Sequence, residues 1–452
     1  MIKQGSIVDL EITDLSNDGN GVGRIDDQVV FVPDTVTGDR LKARLVRVKR
    51  KHGQGKLEEL ISPSPHRIRP RCIVADKCGG CQWQHIDYQH QLAAKHNLVR
   101  QSLERIGGFS DPPVLEVIPS AELGYRNKAT YPLGLSATGT LQAGYYQKGT
   151  HKLINLNQCP IQDARLNPLL AEIKQDLQQL GFPIYNEQTH QGALRHLGLR
   201  IGANTGEMLL TLVSKEQNLP GLEEQAQLWL ERYPYLVGVA LNYNPHLGNV
   251  IFGQDTFLLG GRLYLKEIFG GLTFHLRPET FFQVNTPVAE ALLDKIFTQL
   301  NLTGHEITVD VYCGIGTFTL PLAQKVQQAI GIESQATAVQ QAQINARINK
   351  IANVQFRKGR AENLLSKLDL KPDLVLLDPP RKGCRREVIH TLLALKPSRI
   401  VYLSCQSPSL ARDLKLLSEQ GIYQLKMVQP ADFFPQTPHV ECAAFLNLTG
   451  DE

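Results

Sequence analysis

The chain has 452 residues, 42% of them hydrophobic and 20% charged, with a net charge of +4. That length predicts two to four domains rather than one core. No apolar run is long enough to cross a membrane, MIKQGSIVDLEITD lacks the apolar core of a signal peptide, and eight cysteines are few for a disulfide scaffold, so a cytoplasmic protein is expected.

Residues 1–60 read as all-β. Val8, Leu10 and Ile12 alternate with Asp9, Glu11 and Thr13, NDGNGVG supplies turns, and VVFVP and LKARLVRV give further strands. Short strands between glycine turns in so small a segment predict a closed or nearly closed barrel. Residues 40–71 carry eleven Lys or Arg against Glu58 and Glu59, a local +9 that leaves about −5 for the rest. Such a run is either a solvated face or a surface for phosphates. The linker SPSPHRIRPR then leads into RCIVADKCGGCQWQH, where Cys72, Cys78 and Cys81 are spaced C-x5-C-x2-C. A disulfide knot, a zinc ion and an iron–sulfur cluster all remain open for these thiols.

QLAAKHNLVRQSLERIG predicts a helix ending at Gly107 and Gly108. Residues 125–160 return to strand-like text, a helix is expected over 166–180, and more strand pairs run to about residue 268. From about residue 290 helices alternate with the apolar strands ITVDVY, QAIGIE, VQFRKG, DLVLLDPP and RIVYLSC, and a hairpin-like pair ends in VECAAFLNL. This pattern predicts a parallel sheet covered on both faces, with ligands at the carboxyl ends of its strands.

VDVYCGIGTFTLPLA places Asp310 at a strand end before a turn containing Gly314 and Gly316, and Glu333 closes the next strand, where an acid can take both ribose hydroxyls. The full dinucleotide fingerprint is absent, which disfavours a dehydrogenase. A strand, a D-x-x-x-G-x-G turn and an acid closing strand two look like a class I S-adenosylmethionine methyltransferase, a Rossmann-like α/β fold; the plainer reading is a generic doubly wound domain. LLDPPRKG puts Asp378 at the end of a fourth strand. Arg381 and Lys382 stand where amino-methyltransferases show a stacking aromatic, which argues against adenine methylation.

Cys405 ends the fifth strand, on the expected cofactor edge of the sheet. A cysteine has a use there: carbon 5 of uracil becomes nucleophilic once a thiolate adds at carbon 6, and a base must then remove the carbon 5 proton. Glu441 in TPHVECAAF is the candidate base and His439 its competitor. The bland reading of Cys405 is a buried strand cysteine. Cys313, Cys384 and Cys442 read as packing or incidental residues.

With KCGGCQWQH, ETFFQVN, DVYCGIGTFTLPLA, LLDPPRKG, YLSCQSPSLARD and HVE in order, the chain resembles the RNA 5-methyluridine methyltransferase family over nearly its whole length, and within it the ribosomal RNA branch. The resemblance implies a multidomain protein: an OB-like TRAM barrel that binds RNA (1–60), an α+β central domain with an iron–sulfur cluster (61–268) and a C-terminal catalytic domain (269–452). It implies a 4Fe-4S cluster on Cys72, Cys78, Cys81 and Cys159; bottom-up, four thiolates suit zinc equally. The radical spacing C-x3-C-x2-C is absent, so a structural cluster is expected. By motif, Gln283, Tyr312, Gly314, Gly316, Thr317, Glu333 and Asp378 line the S-adenosylmethionine site, with Asp378 also on the uracil, Cys405 as nucleophile and Glu441 as general base. Arg360 replaces a usual small polar contact to adenine, which stays unassigned. A cytosine-5 enzyme would show D-P-P-C where Arg381 stands. The implied activity is uridine-5 methylation of 23S ribosomal RNA by a cytoplasmic monomer. Transfer RNA methylation and an inactive iron–sulfur RNA-binding factor are the alternatives. Intact Gln283, Asp378, Cys405 and Glu441 disfavour the second, and the barrel and cysteine cluster, usually lacking in the transfer RNA branch, disfavour the first.

Overall fold

In the computed structural model, which describes residues 3–450, five strands close the N-terminal barrel. They are β1 (Ile7–Leu15), β2 (Gly21–Ile25), β3 (Gln28–Val32), β4 (Arg40–Val48) and β5 (His52–Ser62), closed in the order β1-β2-β3-β5-β4. The two-residue period of β4 turns Leu41, Ala43 and Leu45 into a core shared with Leu10, Ile12, Val30 and Val32, and leaves Arg40 and Arg44 outside. Sequence reading does not single out β5, because HGQGKLEELIS is polar and glycine-rich. Its inward positions are small for a reason. A Cβ on Gly55 would lie 3.1 Å from Val32 Cγ2 and 3.2 Å from the Ala43 Cβ.

Helix α1 (Tyr88–Ser102) starts where the Asp87 carboxylate accepts the His90 N–H at 2.9 Å. The sequence predicts a helix to Gly107 and Gly108; the α-helix stops at Ser102, and a wider turn (Leu103–Gly107) carries the chain to Gly108 in the left-handed conformation. The chain forms two units: one comprises Met1–Asp76, Cys81–Glu122 and Pro379–Glu452, the other Lys77–Gly80 and Leu123–Asp378.

The second unit opens with a mixed sheet of β6 (Lys128–Leu135), β7 (Leu141–Tyr146), β8 (Leu153–Asn155), β9 (Leu194–Ile201), β10 (Met208–Ser214), β11 (Leu236–Tyr243) and β12 (Asp255–Gly261), ordered β12-β11-β10-β9-β6-β7-β8. Helices α2 (Asn167–Leu180) and α3 (Leu222–Arg232) connect its strands, and α2 buries Leu169, Leu170, Ile173 and Leu177 along one stripe. A hairpin of β13 (Leu265–Phe269) and β14 (Leu272–Leu276) follows.

Next come α4 (Thr286–Leu300), β15 (Ile307–Val311), α5 (Thr319–Ala323), β16 (Gln328–Glu333), α6 (Ala336–Ile348), β17 (Val354–Lys358), α7 (Ala361–Leu364) and β18 (Leu374–Leu377). The strands are parallel in the order β17-β16-β15-β18, fully buried in β18. After β15 the chain goes to one side for β16 and β17 and returns to the other for β18. The carboxyl end of β15 is therefore a switch point, where open α/β sheets bind ligands.

The C-terminal part of the first unit carries α8 (Arg386–Leu395), β19 (Arg399–Ser404), α9 (Ser407–Ser418), β20 (Tyr423–Ala431) and β21 (Glu441–Leu448). Strand β21 runs antiparallel to both β19 and β20. Among the described residues no helix is long and apolar enough to cross a membrane.

Candidate active site

At the carboxyl end of β15 the backbone turns sharply. Tyr312 takes φ 72°, Gly314 φ 55° and Gly316 φ 85°, and the N–H groups of Tyr312 and Cys313 both donate to Ile332 O on β16. Left-handed conformations at alternate positions explain the glycines at 314 and 316. At Gly314 nothing lies within 4 Å of a would-be Cβ, so a side chain there would project into open space. Phe281, Gln283, Asp310, Tyr312, Cys313, Gly314, Thr317, Phe318 and Asp378 line the cleft beside this turn. Distant stretches of motif thus meet in one wall, which brings Gln283, Tyr312, Gly314, Thr317 and Asp378 together.

Two expected residues sit differently. Gly316 is buried, its Cβ position 3.1 Å from Leu320 and 3.2 Å from Phe356, so it serves the turn rather than the cleft surface. Glu333, half-buried at the end of β16, accepts the Gly314 N–H at 3.2 Å and the Gln335 N–H at 2.8 Å, bracing the glycine turn.

Asp310 is quoted in the motif, yet the sequence assigns it no contact. It is 2% exposed; one carboxylate oxygen accepts the Thr319 hydroxyl and the other is buried without a hydrogen-bond partner. Burial, with the Asp378 and Glu333 charges adding to it, pushes its pKa up to about 7. Asp378 is only half-buried by exposure but closely enclosed, and desolvation pushes it to about 7 as well. An orphaned buried carboxylate oxygen is costly unless a ligand donor reaches it. A cationic amino-acid ligand fits that need, and the residues present therefore suit S-adenosylmethionine.

The loop bearing Gln283 is braced from the mixed sheet. Asn127 on the approach to β6 donates to Gln283 O at 2.9 Å and to the Thr286 hydroxyl at 3.0 Å. Arg200 of β9, 4% exposed, donates to Arg277 O at 2.7 Å and Thr280 O at 2.8 Å, and burial lowers its pKa to about 10. No sequence motif announces either residue.

In the first unit, β19 and β21 pair with Ser404 opposite Cys442. Cys405 follows Ser404 and Glu441 precedes Cys442, so the two candidate catalytic residues share that end of the pair, both half-buried. Burial pushes the Cys442 thiol well up, with Glu441 and Cys405 adding to the effect, so Cys442 stays protonated. Burial first, then the Arg381 and Lys95 charges, lower the His439 pKa. Cys384 is 7% exposed, and its N–H donates to the Tyr402 hydroxyl at 3.1 Å and to Asp413 at 2.8 Å. Asp413 and its neighbour Arg412, which donates to Lys382 O at 2.9 Å, tie the Arg381–Lys382 loop to α9.

The four motif cysteines divide evenly: Cys72 and Cys81 in the first unit, Cys78 and Cys159 in the second. Cys78, Cys81 and Cys159 are buried and Cys72 is half-buried. In the second unit the Cys78 segment lies along the end of β7, with Gly79 N–H donating to Tyr146 O at 2.9 Å and Gly80 N–H to Cys78 Sγ at 3.4 Å. Four thiols are a donor set that suits an iron–sulfur cluster or zinc. Among the described residues, however, no three His, Cys, Asp or Glu side chains gather as a metal-binding group, so the cluster assignment stands on motif and donor chemistry rather than on assembled geometry.

A parallel sheet with a glycine turn, an acidic floor and a donor cleft at its switch point defines a class I S-adenosylmethionine-dependent methyltransferase. The model of the tRNA (uracil-5-)-methyltransferase family matches residues 268–449 and that of the TRAM domain residues 2–57. An RNA methyltransferase of Nostoc sp. is 63% identical over 99% of this chain and 97% of its own, and one of Synechocystis sp. is 56% identical over 98% and 96%. The solved structure of Pyrococcus abyssi tRNA (uracil-54, C5)-methyltransferase with S-adenosyl-L-homocysteine covers 97% of this chain and 99% of its own at 28% identity and TM-score 0.77. The chain belongs to the S-adenosylmethionine-dependent RNA uracil-5 methyltransferase family, with an N-terminal TRAM barrel.

Proposed function

We propose that the enzyme methylates carbon 5 of a uridine in 23S ribosomal RNA through a covalent Cys405 adduct. The observation that carries the covalent reading is the register of β19 and β21, which leaves a half-buried thiol and a carboxylate together at one strand-pair end. Bound S-adenosylmethionine supplies an electrophilic methyl group. Cys405 Sγ, as thiolate, bonds carbon 6, and the electron pair released moves through the ring to make carbon 5 nucleophilic. Once carbon 5 carries the methyl, the Glu441 carboxylate takes its proton; the C–H pair restores the 5,6 double bond and the thiolate leaves. Gln283, Tyr312, Gly314, Thr317, Glu333 and Asp378 hold the donor, with Gly316 shaping the turn beneath it and Asp310 offering its orphaned oxygen to the ammonium group. Asp378 also takes a hydrogen bond from the uracil.

A 4Fe-4S cluster on Cys72, Cys78, Cys81 and Cys159 is part of the proposal as a structural element. So are the functional segments 1–60, 61–268 and 269–452, and action as a cytoplasmic monomer. The ribosomal substrate rests on resemblance to the branch with both barrel and cysteines. One observation favours transfer RNA instead. The Pyrococcus abyssi enzyme, which acts on transfer RNA, covers 97% of this chain, so overall architecture does not separate the two substrates. Mapping 5-methyluridine in both RNAs from cells lacking the gene decides. Loss from 23S RNA alone supports the proposal, and loss from transfer RNA alone replaces it.

A further inference from the structure

We infer that Gln436 and Gln91 are positioning residues for the proton-removal step, which rests on the reading of Glu441 as the base. The loop 432–440 joins β20 to β21, and Glu441, opposite Ala431, closes it. Gln436 sits within that loop at φ 70°, a left-handed conformation unfavourable for a side chain of this size, and is 5% exposed. A glycine would occupy such a position without strain. The glutamine is instead held on every polar atom. Its N–H donates to Gln91 Oε1 at 2.9 Å, and its carbonyl accepts from the N–H groups of Gln82 at 3.1 Å and Trp83 at 2.9 Å. Its side-chain oxygen accepts from Gln91 Nε2 at 3.0 Å, and its Nε2 donates to Glu122 O at 3.3 Å.

Gln91 is fully buried on α1, and its Nε2 also donates to Trp83 O at 3.1 Å and Ile86 O at 2.9 Å. The start of the loop is clamped separately: buried Lys95 pairs with buried Asp432 and donates to Phe434 O at 3.1 Å. The middle of the loop that leads to Glu441 is thus fixed by the reciprocal pairing of Gln436 with Gln91 of α1. A buried, fully satisfied polar network gives one geometry rather than several, and a carboxylate that must reach one proton needs such a fixed geometry.

The test uses the full-length enzyme, labelled S-adenosylmethionine and bulk RNA from cells lacking the gene. Gln436→Gly keeps the left-handed backbone and its main-chain bonds while removing the side chain; Gln91→Leu removes the reciprocal bonds from the other side. Both variants should form methylated protein–RNA adduct at the wild-type rate and bind S-adenosylmethionine within about twofold of wild type, while release of methylated RNA slows at least about tenfold. If adduct formation, donor binding and release fall together, the pair merely holds the fold and the inference is overturned. Glu441→Gln runs alongside. Adduct from Glu441→Gln but from neither glutamine variant overturns the positioning role alone; no adduct from Glu441→Gln overturns the base assignment beneath it.

Discussion

Cys405 and Glu441 flank the last register pair of β19 and β21, each one residue beyond Ser404 and Cys442 at the same end. Successive strand residues face opposite sides, so Glu441 and Cys442 point apart: Glu441 is half-buried, and Cys442 is wholly buried with its thiol pushed up. One strand end therefore holds two cysteines in different settings, the half-buried Cys405 proposed as nucleophile and the buried, neutral Cys442 that packs below.

The barrel offers the most direct test of RNA binding. Glu58 and Glu59 neutralise Arg44 and Lys42, and Arg67 is committed to buried Asp39. The exposed cations Arg47, Lys49, Arg50 and Lys51 lie where β4 turns into β5. Replacing these four by Ala should weaken RNA binding and lower the slope of log K against log salt by about 0.7–0.9 for each phosphate that is no longer neutralised. S-adenosylmethionine affinity should not change. An unaltered slope in binding titrations at several salt concentrations would mean that the run is only solvated.

The donor turn was legible in the sequence because its chemistry is local: Asp310, Gly314 and Gly316 lie within seven residues and the turn dictates their types. The barrel was legible where leucines alternate with arginines in β4, and illegible in β5, where tight packing requires glycine at 55 and erases the pattern. What holds Gln283 was not legible. Asn127 reaches it across 156 positions and Gln91 reaches Gln436 across 345, pairings that only tertiary packing creates. The same holds for Asp310, whose orphaned oxygen emerges only from burial.

The acidic floor of the cleft predicts a pH dependence. Asp310 and Asp378 are pushed up to about 7 from 3.8, so in the ligand-free protein both ionise only as pH rises through that value. The donor is cationic, and ionised carboxylates favour it; affinity should tighten between about pH 6 and 8, by up to about tenfold per pH unit for each group that must ionise. The stability sign is opposite. The folded state keeps these protons to higher pH than the unfolded chain, so ligand-free stability falls as pH rises from about 4 through about 7. Asp310→Asn should raise the ligand-free melting midpoint at pH 8, a gain of about 1–3 kcal/mol, and weaken donor binding in calorimetry. Unchanged affinity would remove Asp310 from the site.

Anaerobically purified protein should be brown, with iron matched by labile sulfide, if thiolates hold a cluster. Cys159→Ser should lose most of that iron although Cys159 lies far along the chain from Cys72, Cys78 and Cys81. A colourless protein with one stoichiometric zinc would replace the cluster by a tetrahedral thiolate site.

The catalytic pair separates by what each variant traps. A target uridine in structured RNA must leave its stack before a thiolate can reach carbon 6. Cys405→Ala should abolish methylation and every covalent protein–RNA species, since the first bond never forms. Glu441→Gln keeps the thiolate and the donor cleft, so addition and methyl transfer proceed while proton removal stalls, and release should fall by about 10²–10⁴. With S-adenosylmethionine and RNA it should accumulate a denaturation-resistant adduct that carries the transferred methyl, read on a gel with labelled donor. 5-Fluorouridine at the target should trap the wild type in the same way, because fluorine cannot leave as the proton does. Adduct from Cys405→Ala but not from Cys384→Ala would move the nucleophile to Cys384, although its thiol is buried and its backbone pinned by Tyr402 and Asp413. Normal turnover by Glu441→Gln would pass the base role to His439, whose lowered pKa keeps its ring neutral and able to accept a proton.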